Sequence, residues 1–219
     1  MILNQESAVK IAESLLQIKA IKLNPTNPFH WASGWNSPIY CDNRKSLSYP
    51  PVRTYIRQQF VDAINEHFPN VEVIAGVATG GIAHGALVAE AMGLPFAYIR
   101  SSTKGHGMQN LIEGDIFKDQ KVVVIEDLIS TGGSSLKAVE ALRKNKCNVL
   151  GMVAIFTYGF DLARNNFENN NCKLITLSDY NSMLKVAVDS DYVSESDTES
   201  LTDWRKNPAK WAPVVQKNS

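Results

Sequence analysis

Between residues 71 and 158 the chain repeats one alternation, a short unbroken apolar run followed by a segment with helical spacing. VEVIAGVA reads as a strand and GIAHGALVAEAMG as a helix closed by Gly93. PFAYIR and KVVVIED are strands, GSSLKAVEALRKN is a helix, and VLGMVAIFTY is another strand. A strand that is apolar at every position has no face to give to water, so both of its faces must be covered. Helices between such strands do this by crossing over a parallel sheet. The expected fold class is therefore α/β, with a central, mostly parallel sheet flanked by helices. In sheets of this kind, ligands bind beyond the carboxyl ends of the strands. Three loops leave those ends: 76–81 (GVATGG), 100–114 and 126–134.

The flanks add helices and few constraints. Ala8, Ile11, Ala12, Leu15 and Ile18 place an amphipathic helix over 6–20. Residues 24–51, rich in Pro, Asn, Ser and aromatics, read as loops and short strands. Pro50 and Pro51 open a second helix with Val52, Tyr55, Ile56, Phe60 and Ile64 as its apolar stripe. Near the other end, an exposed helix packs through Leu201 and Trp204. A length of 219 residues suits one domain with extra elements: an N-terminal part of about 1–48, a core of about 49–180 and a helical extension of about 190–212. With 22 basic and 22 acidic residues, the zero net charge gives no support to bulk nucleic-acid or anionic-membrane binding. No apolar run reaches the ~20 residues of a membrane helix, and the first residues lack the pattern of a signal peptide. Cys41, Cys147 and Cys172 are odd in number without CxxC spacing, which fits reduced thiols in a cytoplasmic protein and small core residues.

The most informative stretch is VVVIEDLISTGGSS, residues 122–135. Its apolar run, Lys121 to Ile125, is the strand, and a helix starts at Ser134, so 126–133 form the turn at the ligand edge. Ser130, Thr131, Gly132, Gly133 and Ser134 bring hydroxyls and unobstructed backbone N–H groups to a helix N-terminus, which is how a phosphate is cradled. No Lys follows the glycines, so this is not a Walker loop. Glu126 and Asp127 would repel a phosphate beside them, but they can accept hydrogen bonds from the vicinal hydroxyls of a sugar. A strand, two acids and a Gly/Ser/Thr nest together describe a ribose 5-phosphate site. The competing reading is a plain βα turn with a capping serine, and the acid pair weighs against it.

This block resembles the motif by which type I phosphoribosyltransferases bind 5-phosphoribosyl 1-pyrophosphate (PRPP). Two more stretches resemble the orotate phosphoribosyltransferases in particular. RSSTKGHGMQNLIEG (100–114) is similar to their Arg-x-x-x-Lys-x-His-Gly lid, with Ser101 where many members carry Lys. FHWASGWNSPIYCDNRK (29–45) is similar to their Ser-Gly-x-x-Ser-Pro-x-Tyr hood over the base, with Ala32 where many members carry Lys. Arg44 is a basic residue nearby. GVATGG looks like the pyrophosphate loop, with Gly80 where some relatives carry Lys. An Arg that some relatives place near Tyr158 is missing.

The resemblance implies transfer of the phosphoribosyl group from PRPP to orotate, giving orotidine 5'-monophosphate and pyrophosphate in UMP biosynthesis. It implies Mg²⁺ as cofactor and a homodimer that shares its lids. Arg100, Lys104 and His106 are then the catalytic cations on pyrophosphate. Thr79, Gly80, Glu126, Asp127, Leu128, Ile129, Ser130, Thr131, Gly132, Gly133 and Ser134 line PRPP, and Tyr40, Cys41 and Ser130 lie by orotate. No all-protein metal cage is expected, because Mg²⁺ is held mainly by substrate and water, with Asp127 as a possible ligand. His84 falls on a helix face, in the core or at an interface. Two alternatives stay open: transfer to a purine or another base, and a PRPP-sensing regulator without turnover.

Overall fold

A computed structural model describes residues 1–31, 34–101 and 111–213. Its main sheet has six strands: β5 (Val73–Val77), β6 (Phe96–Ile99), β7 (Ile112–Glu113), β8 (Lys121–Ile129), β9 (Asn148–Thr157) and β10 (Leu174–Asp179). Their spatial order is β10-β9-β8-β5-β6-β7, and only the short β7 runs antiparallel. Every residue of β5 is buried, as its unbroken apolar sequence requires. The helices α2 (Pro50–His67), α3 (Gly80–Met92), α4 (Gly133–Lys144), α5 (Asp161–Asn169) and α6 (Tyr180–Asp189) complete the α/β arrangement. Gly93 closes α3 in the left-handed conformation, and prolines occupy the first turn of α2.

The expected strands and helices are present, and two differences matter. The first is the length of β8, which runs to Ile129 instead of stopping at Ile125. The long strand β9 supplies its partners: Glu126 pairs with Ala154, Leu128 with Phe156 and Ile129 with Thr157. The two acids therefore sit in the strand, and the turn shrinks to residues 130–132. The second is the edge strand β10 with its following helix α6, which the apolar runs up to residue 158 do not reveal.

The helix α1 (Gln5–Gln17) buries Ala8, Ile11, Ala12 and Leu15, and Ser178 Oγ on β10 donates to the Ala8 carbonyl. Residues 21–48 carry β1 (Ile21–Leu23), β2 (Phe29–His30), β3 (Asn36–Ser37), β4 (Ile39–Cys41) and a 3₁₀ turn, Asn43–Ser48. β1 pairs with β4 and β2 with β3, both antiparallel, outside the main sheet. The helix α7 (Glu195–Lys206) sends Leu201 and Trp204 wholly into the core. Trp204 packs against the rings of Trp31, Tyr158, Phe160 and Tyr180, and its Nε1–H donates to the Asn36 carbonyl at 3.1 Å. Tyr158 is thus a core residue of this aromatic cluster. All three cysteines are free, with Cys147 and Cys172 buried.

Candidate active site at the carboxyl edge of the sheet

The loops after β5, β6 and β8 leave the same edge of the sheet. After β8, Ser130 and Thr131 lead to Gly132, whose φ of +81° is a backbone state that side chains disfavour. No side chain caps α4 there, so the N–H groups of its first turn remain available to an anion. Gly133 and Ser134 are exposed, whereas Ser130 and Thr131 are partly buried. This is the geometry expected of a phosphate cradle. The Thr131 carbonyl is fixed by a 2.9 Å bond from Asn166 Nδ2.

The two acids part company. Successive residues of a strand face opposite ways. Glu126 is buried, and its oxygens accept from the Asp127 backbone N–H (2.9 Å) and from Ser135 Oγ (2.8 Å). Burial first, and the neighbouring Asp127 charge second, push the Glu126 carboxyl well above its ordinary range. Asp127 is partly exposed. Its carboxylate lies against the start of α3, where a Cβ added to Gly80 would come within 2.2 Å of Asp127 Cγ. Next to it, a Cβ on Gly81 would stand 2.3 Å from the Ile125 carbonyl. The two glycines allow the β5–α3 loop to press onto β8. A side chain at position 80, such as the Lys of some relatives, has no room while Asp127 holds this position. Thr79 is exposed beside it, after a cis peptide that joins it to Ala78.

Cys41 is partly buried and Tyr40 is 39% exposed. Burial, and next the Asp127 carboxylate, push the Cys41 thiol well above its ordinary value, so it stays a thiol. Arg44 pairs with Asp42 at 2.7 Å. Leu128 is partly buried and Ile129 fully buried.

Arg100 directly follows β6, with its backbone N–H on the Leu111 carbonyl (2.8 Å) and its Nη1 3.4 Å from Glu113 Oε1 on β7. Residues 100 and 111 are thus neighbours. Lys104 and His106 lie outside the described residues. Arg100, Ser101, Ala78 and Ser134 line one cleft of about 420 Å³, together with Lys137 on α4. Lys137 escapes a sequence reading because only the fold brings that turn of α4 to this wall. Asn43 escapes it too: it is wholly buried and donates from Nδ2 to the Asp127 carbonyl at 2.6 Å. Among the described residues, no group of three or more His, Cys, Asp or Glu could hold a metal.

Residues 49–191 match the family model described as "Phosphoribosyl transferase domain". The chain is 58% identical over 201 residues to an orotate phosphoribosyltransferase of Porphyromonas gingivalis, covering 92% of this chain and 96% of that one. The chain belongs to the orotate phosphoribosyltransferase family. A second member, from Cytophaga hutchinsonii, is 57% identical over 202 residues, with 92% and 97% coverage. Among solved structures, the Aeropyrum pernix orotate phosphoribosyltransferase superposes with a TM-score of 0.73 at 26% identity, over 84% of this chain and 99% of that one. The Leishmania donovani UMP synthase shares the fold with a TM-score of 0.76 at 22% identity, over 90% of this chain and 42% of that one.

Proposed function

We infer that the protein transfers the 5-phosphoribosyl group of PRPP to orotate, releasing pyrophosphate and forming orotidine 5'-monophosphate. The observation that carries this reading is the juxtaposition at one sheet edge of the uncapped α4 N-terminus and the Asp127 carboxylate, in a chain 58% identical to a protein of that name.

The residues divide the work by charge. Backbone N–H groups and hydroxyls of 130–134 take the 5-phosphate. Asp127 accepts from the ribose hydroxyls. Glu126 acts from behind, fixing the Asp127 N–H and Ser135 at the start of α4. Orotate N1 attacks the anomeric carbon as the bond to pyrophosphate breaks, and the sugar takes on oxocarbenium character. This needs placement of two reactants and neutralisation of the leaving group, with no covalent nucleophile. Thr79, Gly80 and Arg100, with Lys104 and His106 by family resemblance, serve the pyrophosphate. Tyr40, Cys41 and Ser130 border the base.

Mg²⁺ fits this site as a companion of the substrate, because Asp127 is the partly exposed carboxylate while the oxygens of Glu126 are already engaged. When bound with PRPP it would neutralise phosphate charge. A cytoplasmic homodimer that shares its lids is the assembly that the family resemblance supports. No helix among the described residues is long and apolar enough to cross a membrane.

The test is Asp127→Asn, which keeps the shape and removes the charge. KM for PRPP should rise about tenfold or more, the loss of one charged hydrogen bond. An unchanged KM would remove Asp127 from the ribose site.

A further inference from the structure

Past Ile125, β8 has lost its neighbour β5, whose pairing ends at Gly76↔Ile125, and the ladder continues on the β9 side alone. The strand end that carries the ribose acid thus lacks half of its sheet support. Asn43 meets it there. Its Nδ2 donates to the Asp127 carbonyl at 2.6 Å, and its Oδ1 accepts from Cys41 Sγ at 3.3 Å. Its own carbonyl accepts from Ser46 Oγ at 2.6 Å, and Ser46 Oγ is 3.3 Å from His84 Nε2 on α3. Asn43 and Ser46 are wholly buried and His84 is 1% exposed. One chain of side-chain bonds therefore joins β4, the 3₁₀ turn, the helix after the pyrophosphate loop, and β8. These are the elements that carry the base-side, pyrophosphate and ribose contacts.

We propose that Asn43 is a positioning residue for PRPP: it stands in for the missing strand at Asp127 and holds that carboxylate in register with the α3 N-terminus. This rests on the reading of Asp127 as the ribose acid. Asn suits the place because it donates to one carbonyl and accepts from one thiol, leaving no buried charge. Without its donor the Asp127 carbonyl is unpaired, and the carboxylate wedged at Gly80 can drift. Small displacements of a binding group are enough to weaken substrate binding.

The experiment compares Asn43→Ala, Ser46→Ala and Asp127→Asn by kcat, by KM for PRPP and for orotate, and by thermal midpoint. Asn43→Ala and Ser46→Ala each remove a buried hydrogen bond from the same chain, but only the first touches Asp127. We expect Asn43→Ala to raise KM for PRPP about tenfold, and more than it raises KM for orotate. Ser46→Ala should lower the thermal midpoint and keep both KM values within about twofold. If Asn43→Ala lowers the midpoint with KM for PRPP unchanged, or if Ser46→Ala raises that KM equally, Asn43 is merely structural. If Asp127→Asn itself leaves KM for PRPP unchanged, the ribose assignment fails first and takes the proposal with it. Should Asn43→Ala not fold, Asn43→Ser leaves a smaller void, and its hydroxyl is too short to restore the bond. The same rise is then expected, and its absence overturns the proposal.

Discussion

His84 makes the fold sensitive to acid. It is buried beside Phe60, with Nε2 3.3 Å from Ser46 Oγ. The single Ser46 hydroxyl proton is already given to the Asn43 carbonyl, so His84 Nε2 must be the donor. Nδ1 is then a lone pair, buried without a partner among the described residues. Protonation would put a charge and an unpaired N–H into the core, and burial accordingly lowers the His84 pKa from 6.5 to about 4. The folded value lies below the unfolded one, so as pH falls the unfolded chain takes up the proton first. Stability is fully present above about pH 6.5 and drains away towards pH 4. A shift of that size corresponds to about 3 kcal/mol in all, of which about 2 kcal/mol is lost by pH 5. The assay is urea unfolding at pH 7.5 and pH 5, for the wild type and for His84→Gln, which keeps a donor towards Ser46 and cannot titrate. The wild type should lose about 2 kcal/mol more than the variant between the two pH values. Equal losses would refute the reasoning.

Three further outcomes are expected. Gly80→Ala brings a methyl group into the Asp127 carboxylate. It should raise KM for PRPP by about tenfold with little loss of thermal stability, and an unchanged KM would show that the carboxylate moves freely. Trp204→Ala empties the centre of the aromatic cluster and leaves the Asn36 carbonyl without its donor. It should cost about 3–5 kcal/mol in a urea titration, and less than 1 kcal/mol would mean that α7 is an appendage. Lys104→Ala should lower turnover roughly 100- to 1,000-fold, as the loss of one preorganised donor does, and activity within about twofold would remove Lys104 from the pyrophosphate site.

How much was legible follows from what each signal depends on. The buried strands showed because a parallel strand covered on both faces leaves an unbroken Val/Ile record, as in VVVI and VEVIAGV. The edge strand LITLSD did not, because Thr176 and Ser178 interrupt the run, although both are buried. The turn and helix start at 130–134, proposed as the phosphate cradle, were legible because their features are local, made of backbone and one helix end. The acids were readable as a motif, but their division of labour was not drawn from it. The signal was present, since neighbours in a strand face opposite ways, but it requires knowing that β8 continues to Ile129, and β9 decides that. Asn43 left no trace, because a buried polar group is defined by partners far away in the chain; His84 was legible as a helix-face residue of the core or an interface, but its bond to Ser46 was not. Asn43 meets Asp127 across 84 positions, and His84 meets Ser46 across 38.

The central claim is base-specific turnover. The direct measurement is pyrophosphate release from PRPP and Mg²⁺ with orotate, uracil, adenine, guanine and hypoxanthine in parallel. Rapid release with orotate alone is the predicted result. Turnover of a purine instead would contradict the assignment of the base site, and PRPP binding without turnover of any base would contradict the enzyme itself.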